Sequence, residues 1–271
     1  MGFHKYGKKD AIIAICVVLF IIIPLGTPWV GDNLRPIQAI LQFDWGGFSY
    51  WAWPIEKVLI TIVPVIIIIL ARKQGFVSIG IHKENLLPAM GLGLMFSLIP
   101  MFWGLLPIVL YGGGFGGFGL FITLLATTFI MAVAEDIVFV GFLQTRLYGL
   151  FKSNMVAISV GAALFSFMHV PAWMIRGEIS LDNFPNLALA IVFWFVMHFV
   201  LVAIFKRYNS IIPVAILHTS FNFFGNPNEF WVFAYEYRGY ADDWALTTVP
   251  VVIVAVAIWV FVRHRRAKKM L

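Results

Sequence analysis

Long apolar segments recur along the whole chain, and they constrain its fold more than any other feature of the sequence. A membrane-spanning helix needs roughly 20 predominantly apolar residues, within a range of about 17–25. The segments of this kind are 10–30, 55–71, 86–110, 119–149, 155–175, 186–205, 210–225 and 246–262. Only 12% of the residues are charged, against about a quarter in a soluble domain. The sequence therefore predicts an all-α polytopic membrane protein, a bundle of about eight transmembrane helices.

The distribution of basic residues predicts the orientation of this bundle. If the N-terminus is cytoplasmic, most of the 19 Lys and Arg residues fall in cytoplasmic segments, as the positive-inside rule requires. Both termini are then cytoplasmic, and we expect an integral, multi-pass protein of the cell membrane. The basic tail "RHRRAKK" follows the last apolar segment, so its predicted partner is the lipid bilayer and not nucleic acid. No linker or repeat divides the chain, which predicts one integral-membrane domain over residues 1–271.

Two of the apolar segments differ from simple lipid-facing helices. The fourth continues into "GFLQTRLYGLF", which we interpret as an amphipathic cytoplasmic extension. The seventh, "SIIPVAILHTSFNFF", is short and polar, and we expect it to pack inside the bundle.

Ionisable side chains are few inside these segments, and each needs a physical reason. They are Glu135, Asp136, His169, His198 and His218. An acid near the middle of a membrane costs on the order of 3 kcal/mol by insertion scales. His198 has no motif partner, so we interpret it as a polar contact between helices.

Two of the remaining histidines have a motif partner one helical turn away. Phe165 and His169 in "FSFMH" are one helical turn apart, and His218 and Asn222 in "HTSFN" have the same spacing. A carboxyl group in a low-dielectric medium can act as general base and then as general acid near neutral pH. Imidazole and carboxamide groups can donate hydrogen bonds to an oxyanion. We expect these groups to meet at a cavity in the cytoplasmic half of the membrane or at its middle, where they could hydrolyse an amide without a covalent nucleophile.

Three short motifs carry a resemblance to a known family. "EDIVF" at 135–139, "FSFMH" at 165–169 and "HTSFN" at 218–222 resemble, in order, the motifs of CPBP-family intramembrane proteases. That family includes the type II CAAX prenyl endopeptidases and bacteriocin-processing or immunity homologues. The resemblance implies a glutamic-type intramembrane endopeptidase whose catalytic core helices lie within about 119–225.

The resemblance also implies a role for each matched residue. Glu135 with His169 would activate the attacking water, His218 with Asn222 would hold the oxyanion, and Phe165 would shape the wall beside His169. The substrate would be a membrane-associated peptide or protein. In the CAAX branch it is a prenylated C-terminal tetrapeptide, which is cut after the lipidated cysteine to release a tripeptide.

Two positions differ from the family pattern. Asp136 stands where the family has a second glutamate, and Val140 stands where it has an arginine. Asp136 lies about 100° round the helix from Glu135, which predicts a supporting role. Arg146, six residues after Val140, points about 240° away on an α-helix and so cannot replace the missing arginine.

Other functions remain open from the residues alone. One carboxylate and two histidines could bind Zn²⁺ or Fe²⁺ in a metal-dependent protease, although their spacing matches no metal-ligand motif. We therefore predict neither a cofactor nor a metal ligand. The changes at Asp136 and Val140 also fit a catalytically inactive membrane scaffold or immunity-type protein. A transporter coupled to protons at Glu135 is disfavoured, because the sequence lacks two related halves. The oligomeric state is left open.

Overall fold

The computed structural model describes residues 6–25, 49–111, 118–175 and 184–225, and all regular structure in these ranges is helical. The predicted all-helical class is therefore confirmed for the described part of the chain. In chain order the elements are α1 (Lys8–Leu25), α2 (Ser49–Ala71), a 3₁₀ turn (Phe76–Ile79), α3 (Leu86–Tyr111), α4 (Phe118–Asp136), a π-helical segment (Ile137–Leu143), α5 (Gln144–Leu147), α6 (Asn154–Ile175), α7 (Phe184–Tyr208) and α8 (Ile211–Gly225).

Three of the described helices are long and apolar enough to cross a membrane. They contain the spans Leu86–Leu105, Phe121–Leu147 and Leu187–Tyr208. Shorter apolar helices occur at Val58–Ala71, Asn154–Val170 and Ile211–Phe224. These helices agree with a membrane protein, whereas the count of eight spans and the orientation of the termini stay predictions. The predicted segment 246–262 lies outside the described residues.

Helix α8 lies inside the bundle, as its short and polar sequence predicts. It packs against α3, α4 and α7, and most of its side chains are buried. Its contact with α3 is close because two glycines of α3 face it. A Cβ atom on Gly93 would lie 2.9 Å from the backbone of Pro213, and one on Gly104 would overlap the backbone of Phe224. Small residues of this kind let transmembrane helices approach closely, so α3 determines the position of α8.

We expect Gly93→Ala to lower the thermal midpoint of the purified protein. The added methyl group must displace the Pro213 backbone, and overpacking of this kind costs about 1–3 kcal/mol. Gly91→Ala is the matched control, since no atom lies within 4 Å of the Cβ position at Gly91 on the same helix. Thermal unfolding in detergent measures both variants. Equal midpoints for the two would contradict the close contact between α3 and α8.

The segment "GFLQTRLYGLF" covers residues 141–151, and residues 141–148 of it are buried. The prediction that it is amphipathic, with one face exposed, is therefore wrong, whereas its cytoplasmic location stays a prediction. Arg146 is only 1% exposed. Its guanidinium group donates hydrogen bonds to the side-chain oxygen of Gln74, to Ser78 Oγ at 3.1 Å and to the carbonyl of Phe142 at 3.2 Å. A buried charge is tolerated only where hydrogen bonds satisfy it. These contacts hold the π segment against the loop that follows α2.

Candidate active site

The acidic pair lies at the end of α4, where the helix changes its geometry. Glu135 is 4% exposed and Asp136 is fully buried. The π-helical segment begins at the next residue, Ile137. Such widened turns are rare and frequently occur at functional sites. The pair is therefore buried inside the bundle and sits at a local change of helical register.

One histidine of α8 faces both carboxyl groups. The Nδ1 atom of His218 is 3.0 Å from Oδ1 of Asp136, which is hydrogen-bonding distance. Its Nε2 atom is 3.5 Å from Oε2 of Glu135. The imidazole is fully buried, so its two ring nitrogens connect the acids at the end of α4 to α8. As an imidazolium it would offset the negative charge of the pair, which otherwise has no basic residue nearby in the sequence.

The angle between the two acids explains how one ring can reach both. Successive residues of an α-helix are about 100° apart, and Glu135 and Asp136 lie next to different nitrogens of the imidazole. The two side chains point in different directions, as the helical pitch predicts. The sequence does not identify their shared neighbour, because that depends on how α4 and α8 cross.

His169 is oriented by its own helix. Its Nδ1 atom is 2.9 Å from the carbonyl oxygen of Phe165, one turn earlier on α6. A carbonyl oxygen only accepts hydrogen bonds, so Nδ1 carries the proton of the neutral ring. The Nε2 atom is then the nitrogen able to accept a proton, as a base that helps to activate water requires.

An aromatic side chain lies between the two motif histidines. The ring of Phe165 is fully buried, and its centroid is 5.2 Å from that of His169 and 5.8 Å from that of His218. Phe165 therefore lies beside His169, where the resemblance expects it, and it also contacts the histidine of α8. His169 and His218 thus belong to one cluster of side chains.

Asn222 lies four residues after His218 on α8, and its side chain is half-buried. Residues at this spacing share one face of a helix. The described helices thus bring Glu135, Asp136 and His218 into direct contact and place His169 in the same cluster. They also put Asn222 one turn beyond His218.

The arginine position of the family holds an apolar residue in this chain. Val140 is fully buried in the hydrophobic core of the bundle. Arg146 points to Gln74 and Ser78 in the loop after α2, and not toward the acidic pair. The α-helical angle used to predict its direction does not apply strictly, because the π segment changes the rotation per residue. The conclusion drawn from it, that Arg146 does not substitute at position 140, agrees with these contacts.

Two further buried residues, His198 and Trp194, lie near this cluster, and the sequence predicts no contact partner for either. His198 of α7 is hydrogen-bonded through Nε2 to Oε1 of Gln144 at 3.0 Å, which makes it the polar contact between helices that its sequence predicts. Trp194, one turn earlier on α7, stacks on His169. No motif pointed to Trp194, and only its aromatic character distinguished it from the rest of an apolar helix.

The geometry of the acidic pair bears on metal binding. Among the described residues, no group of three or more His, Cys, Asp and Glu side chains is arranged to hold a metal ion. Glu135, Asp136 and His218 do lie together, but each imidazole nitrogen faces one carboxyl oxygen directly. Asp136 is thus hydrogen-bonded to His218, and Glu135 lies beside the other nitrogen of the same ring.

A comparison with protein-family models matches part of the chain. Residues 117–224 match the family model named Rce1-like, described as type II CAAX prenyl endopeptidase Rce1-like. This confirms the resemblance predicted from the three motifs, all of which lie inside the matched segment. A search of curated proteins found no match to the chain. The matched segment is thus similar to a family described as CAAX prenyl endopeptidases.

Proposed function

We propose, from the Rce1-like match of residues 117–224, that this chain is an intramembrane glutamic-type endopeptidase. It hydrolyses a peptide bond of a membrane-associated substrate with water activated by Glu135 and His169, and it needs no metal or other cofactor. One observation carries the proposal. The buried ring of His218 has one nitrogen 3.0 Å from Asp136 and the other 3.5 Å from Glu135. An acid and a donor are thereby held together in a medium that strengthens electrostatic interactions.

The first chemical step uses Glu135 as a general base. Its carboxylate takes a proton from water, assisted by Nε2 of His169, and the oxygen of that water attacks the carbon of the scissile carbonyl. A tetrahedral intermediate forms, and its negative charge develops on the former carbonyl oxygen. When this intermediate collapses, the C–N bond breaks, and the proton held by Glu135 is passed to the leaving amine.

His218 and Asn222 stabilise the developing charge. An imidazolium at His218 donates Nδ1–H to Asp136 and is left with Nε2–H for the oxyanion on the side of Glu135. The carboxamide of Asn222, one turn further along α8, donates a second hydrogen bond. Asp136 supports this arrangement by orienting the ring and compensating its charge, so it acts through His218 and not on the substrate.

The substrate we propose is a prenylated protein that ends in a CAAX sequence. The description of the matched family supports this class. Hydrolysis after the lipidated cysteine would release the C-terminal tripeptide.

We also propose eight membrane spans in a single domain of the cell membrane, with both termini cytoplasmic. The excess of basic residues in the predicted cytoplasmic segments supports this orientation. Protease protection of tags at both ends would test it.

The assay uses the full-length protein in lipid nanodiscs with a farnesylated CAAX peptide and the same peptide without the lipid. We expect release of the tripeptide from the farnesylated peptide, detected by mass spectrometry, and we expect it to persist after exhaustive chelation. Activity that is lost on chelation and restored by Zn²⁺ would support the metal-dependent alternative. If neither peptide is cut, the chain is better described as an inactive scaffold or immunity-type relative.

A further inference from the structure

Trp194 of α7 lies against both histidines of the proposed site, although none of the three motifs includes a residue of α7. Its indole ring is stacked on the imidazole of His169, with ring centroids 4.2 Å apart and planes 9° from parallel. Its centroid is 5.7 Å from that of His218, at an angle of 67°. Trp194 is therefore a residue of α7 whose ring contacts both histidines.

The stack completes the orientation of His169. The hydrogen bond from Nδ1 to the carbonyl of Phe165 fixes one atom of the ring. The ring can rotate about its Cα–Cβ and Cβ–Cγ bonds, and a hydrogen bond at Nδ1 restrains these rotations only in part. Because the indole covers one face of the imidazole, such rotation would separate two surfaces in close contact. The contacts from α6 and α7 together define both the position and the plane of the ring.

Trp194 is itself held rigidly enough for this role. It is only 9% exposed. The rings of Phe165 and Phe193 meet it edge to face, at centroid distances of 5.7 Å and 5.1 Å. Its Nε1 atom makes no hydrogen bond to any described residue. The contact of Trp194 with the site is therefore the ring stack, and not a polar bond.

We propose that Trp194 is a positioning residue for His169. By stacking on the imidazole, it keeps the unprotonated Nε2 directed toward the water that Glu135 and His169 activate. Its π face also favours the partial positive charge that develops on the imidazole as His169 assists Glu135 in deprotonating the water. The inference rests on the proposed function for its catalytic purpose, whereas the stack itself can be measured without any substrate.

Three variants of the full-length protein in nanodiscs test the kinetic effect. Trp194→Leu removes the flat surface, Trp194→Phe keeps a smaller aromatic face, and Phe195→Leu is the control. Phe195 is the next residue of α7, and its ring contacts Phe199 on the same helix. We expect Trp194→Leu to lower kcat by about 10-fold or more, with KM nearly unchanged. Trp194→Phe should recover most of the loss, and Phe195→Leu should match the wild type. A Phe variant as slow as the Leu variant would overturn the role of stacking.

A spectroscopic measurement makes the test independent of catalysis. The chain has six histidines, so labelling the ring Cε1 atoms with ¹³C gives a readable NMR spectrum in which His169→Gln assigns one signal. The ring current of a stacked indole shifts that signal upfield, and we expect Trp194→Leu, but not Phe195→Leu, to abolish the shift. His82→Gln assigns the signal of His82, and an unchanged His82 signal shows that a variant is folded.

The two measurements separate failure of this inference from failure of the proposed function. If the wild type cleaves peptide and Trp194→Leu keeps both its kcat and its His169 signal, the inference alone is wrong. If the wild type cleaves nothing while the shift is present, the proposed function fails and the stack has no catalytic purpose.

Discussion

Replacing Glu135 with Gln is expected to lower kcat for peptide hydrolysis by about 10⁴-fold, the upper end of what a general base contributes. The amide has nearly the same shape as the carboxylate but cannot take a proton from water. The carboxyl oxygen of Glu135 lies 3.5 Å from Nε2 of His218, so the variant also loses the negative charge that faces this nitrogen. Tripeptide release from the farnesylated peptide measures the effect.

The control for Glu135→Gln is Glu84→Gln, which makes the same chemical change at an exposed position. We expect the control to keep wild-type kcat. Glu135→Gln should unfold at or above the wild-type temperature, because a neutral amide is less costly to bury than a charge. Glu84→Gln should unfold near the wild-type temperature, because Glu84 is exposed. If Glu135→Gln retained more than a tenth of the wild-type kcat, Glu135 would not be the general base.

The second large effect is expected at Asp136. Asp136→Asn keeps the size of the side chain but removes the negative charge 3.0 Å from Nδ1 of His218. The imidazolium then loses its nearest compensating charge and its fixed orientation. Since a single donor to an oxyanion is worth on the order of 10²–10³ in kcat, we expect a loss of about 10²-fold. KM should change little, because Asp136 does not touch the substrate.

Asp136→Glu tests whether charge or length matters at this position. Glutamate is the residue of the family motif, and it keeps the charge with one additional methylene group. We therefore expect it to retain more activity than Asp136→Asn. Asp10→Asn is the control, because Asp10 forms an ion pair with Arg72 at 2.9 Å, away from the acidic pair. If Asp136→Asn cleaved at the wild-type rate, the proposed support of His218 by Asp136 would be wrong. The His218 signal in the ¹³C spectrum should move in Asp136→Asn.

The elements and the motif residues of the candidate site are largely local properties, which is why the sequence predicts them. The boundaries predicted for 86–110 and 210–225 differ by one residue at most from α3, Leu86–Tyr111, and α8, Ile211–Gly225. Hydropathy over about 20 residues is enough to define such helices in a membrane. The pairing of Phe165 with His169 follows in the same way from the pitch of one helix.

The local sequence does not predict the π segment. The sequence predicts one helical segment over residues 119–149, but the turn widens from Ile137 to Leu143. This segment lies close to the 3₁₀ turn, since a Cβ on Gly141 would collide with the carbonyl of Ile79. That contact joins residues far apart in the chain, so no short window of sequence reveals it. The buried position of Arg146 has the same origin.

The sequence by itself determined that the described chain is helical and apolar, and it identified Glu135, His169, His218 and Asn222 as the side chains to examine. It could do so because hydropathy and helical spacing act over a few turns. Only the tertiary structure decided which groups meet. The crossing of α4 and α8 gives His218 a carboxyl group at each nitrogen, and the packing of α6 on α7 lays Trp194 on His169. Contacts between helices depend on crossing angle and rotation, and neither is a property of one helix alone.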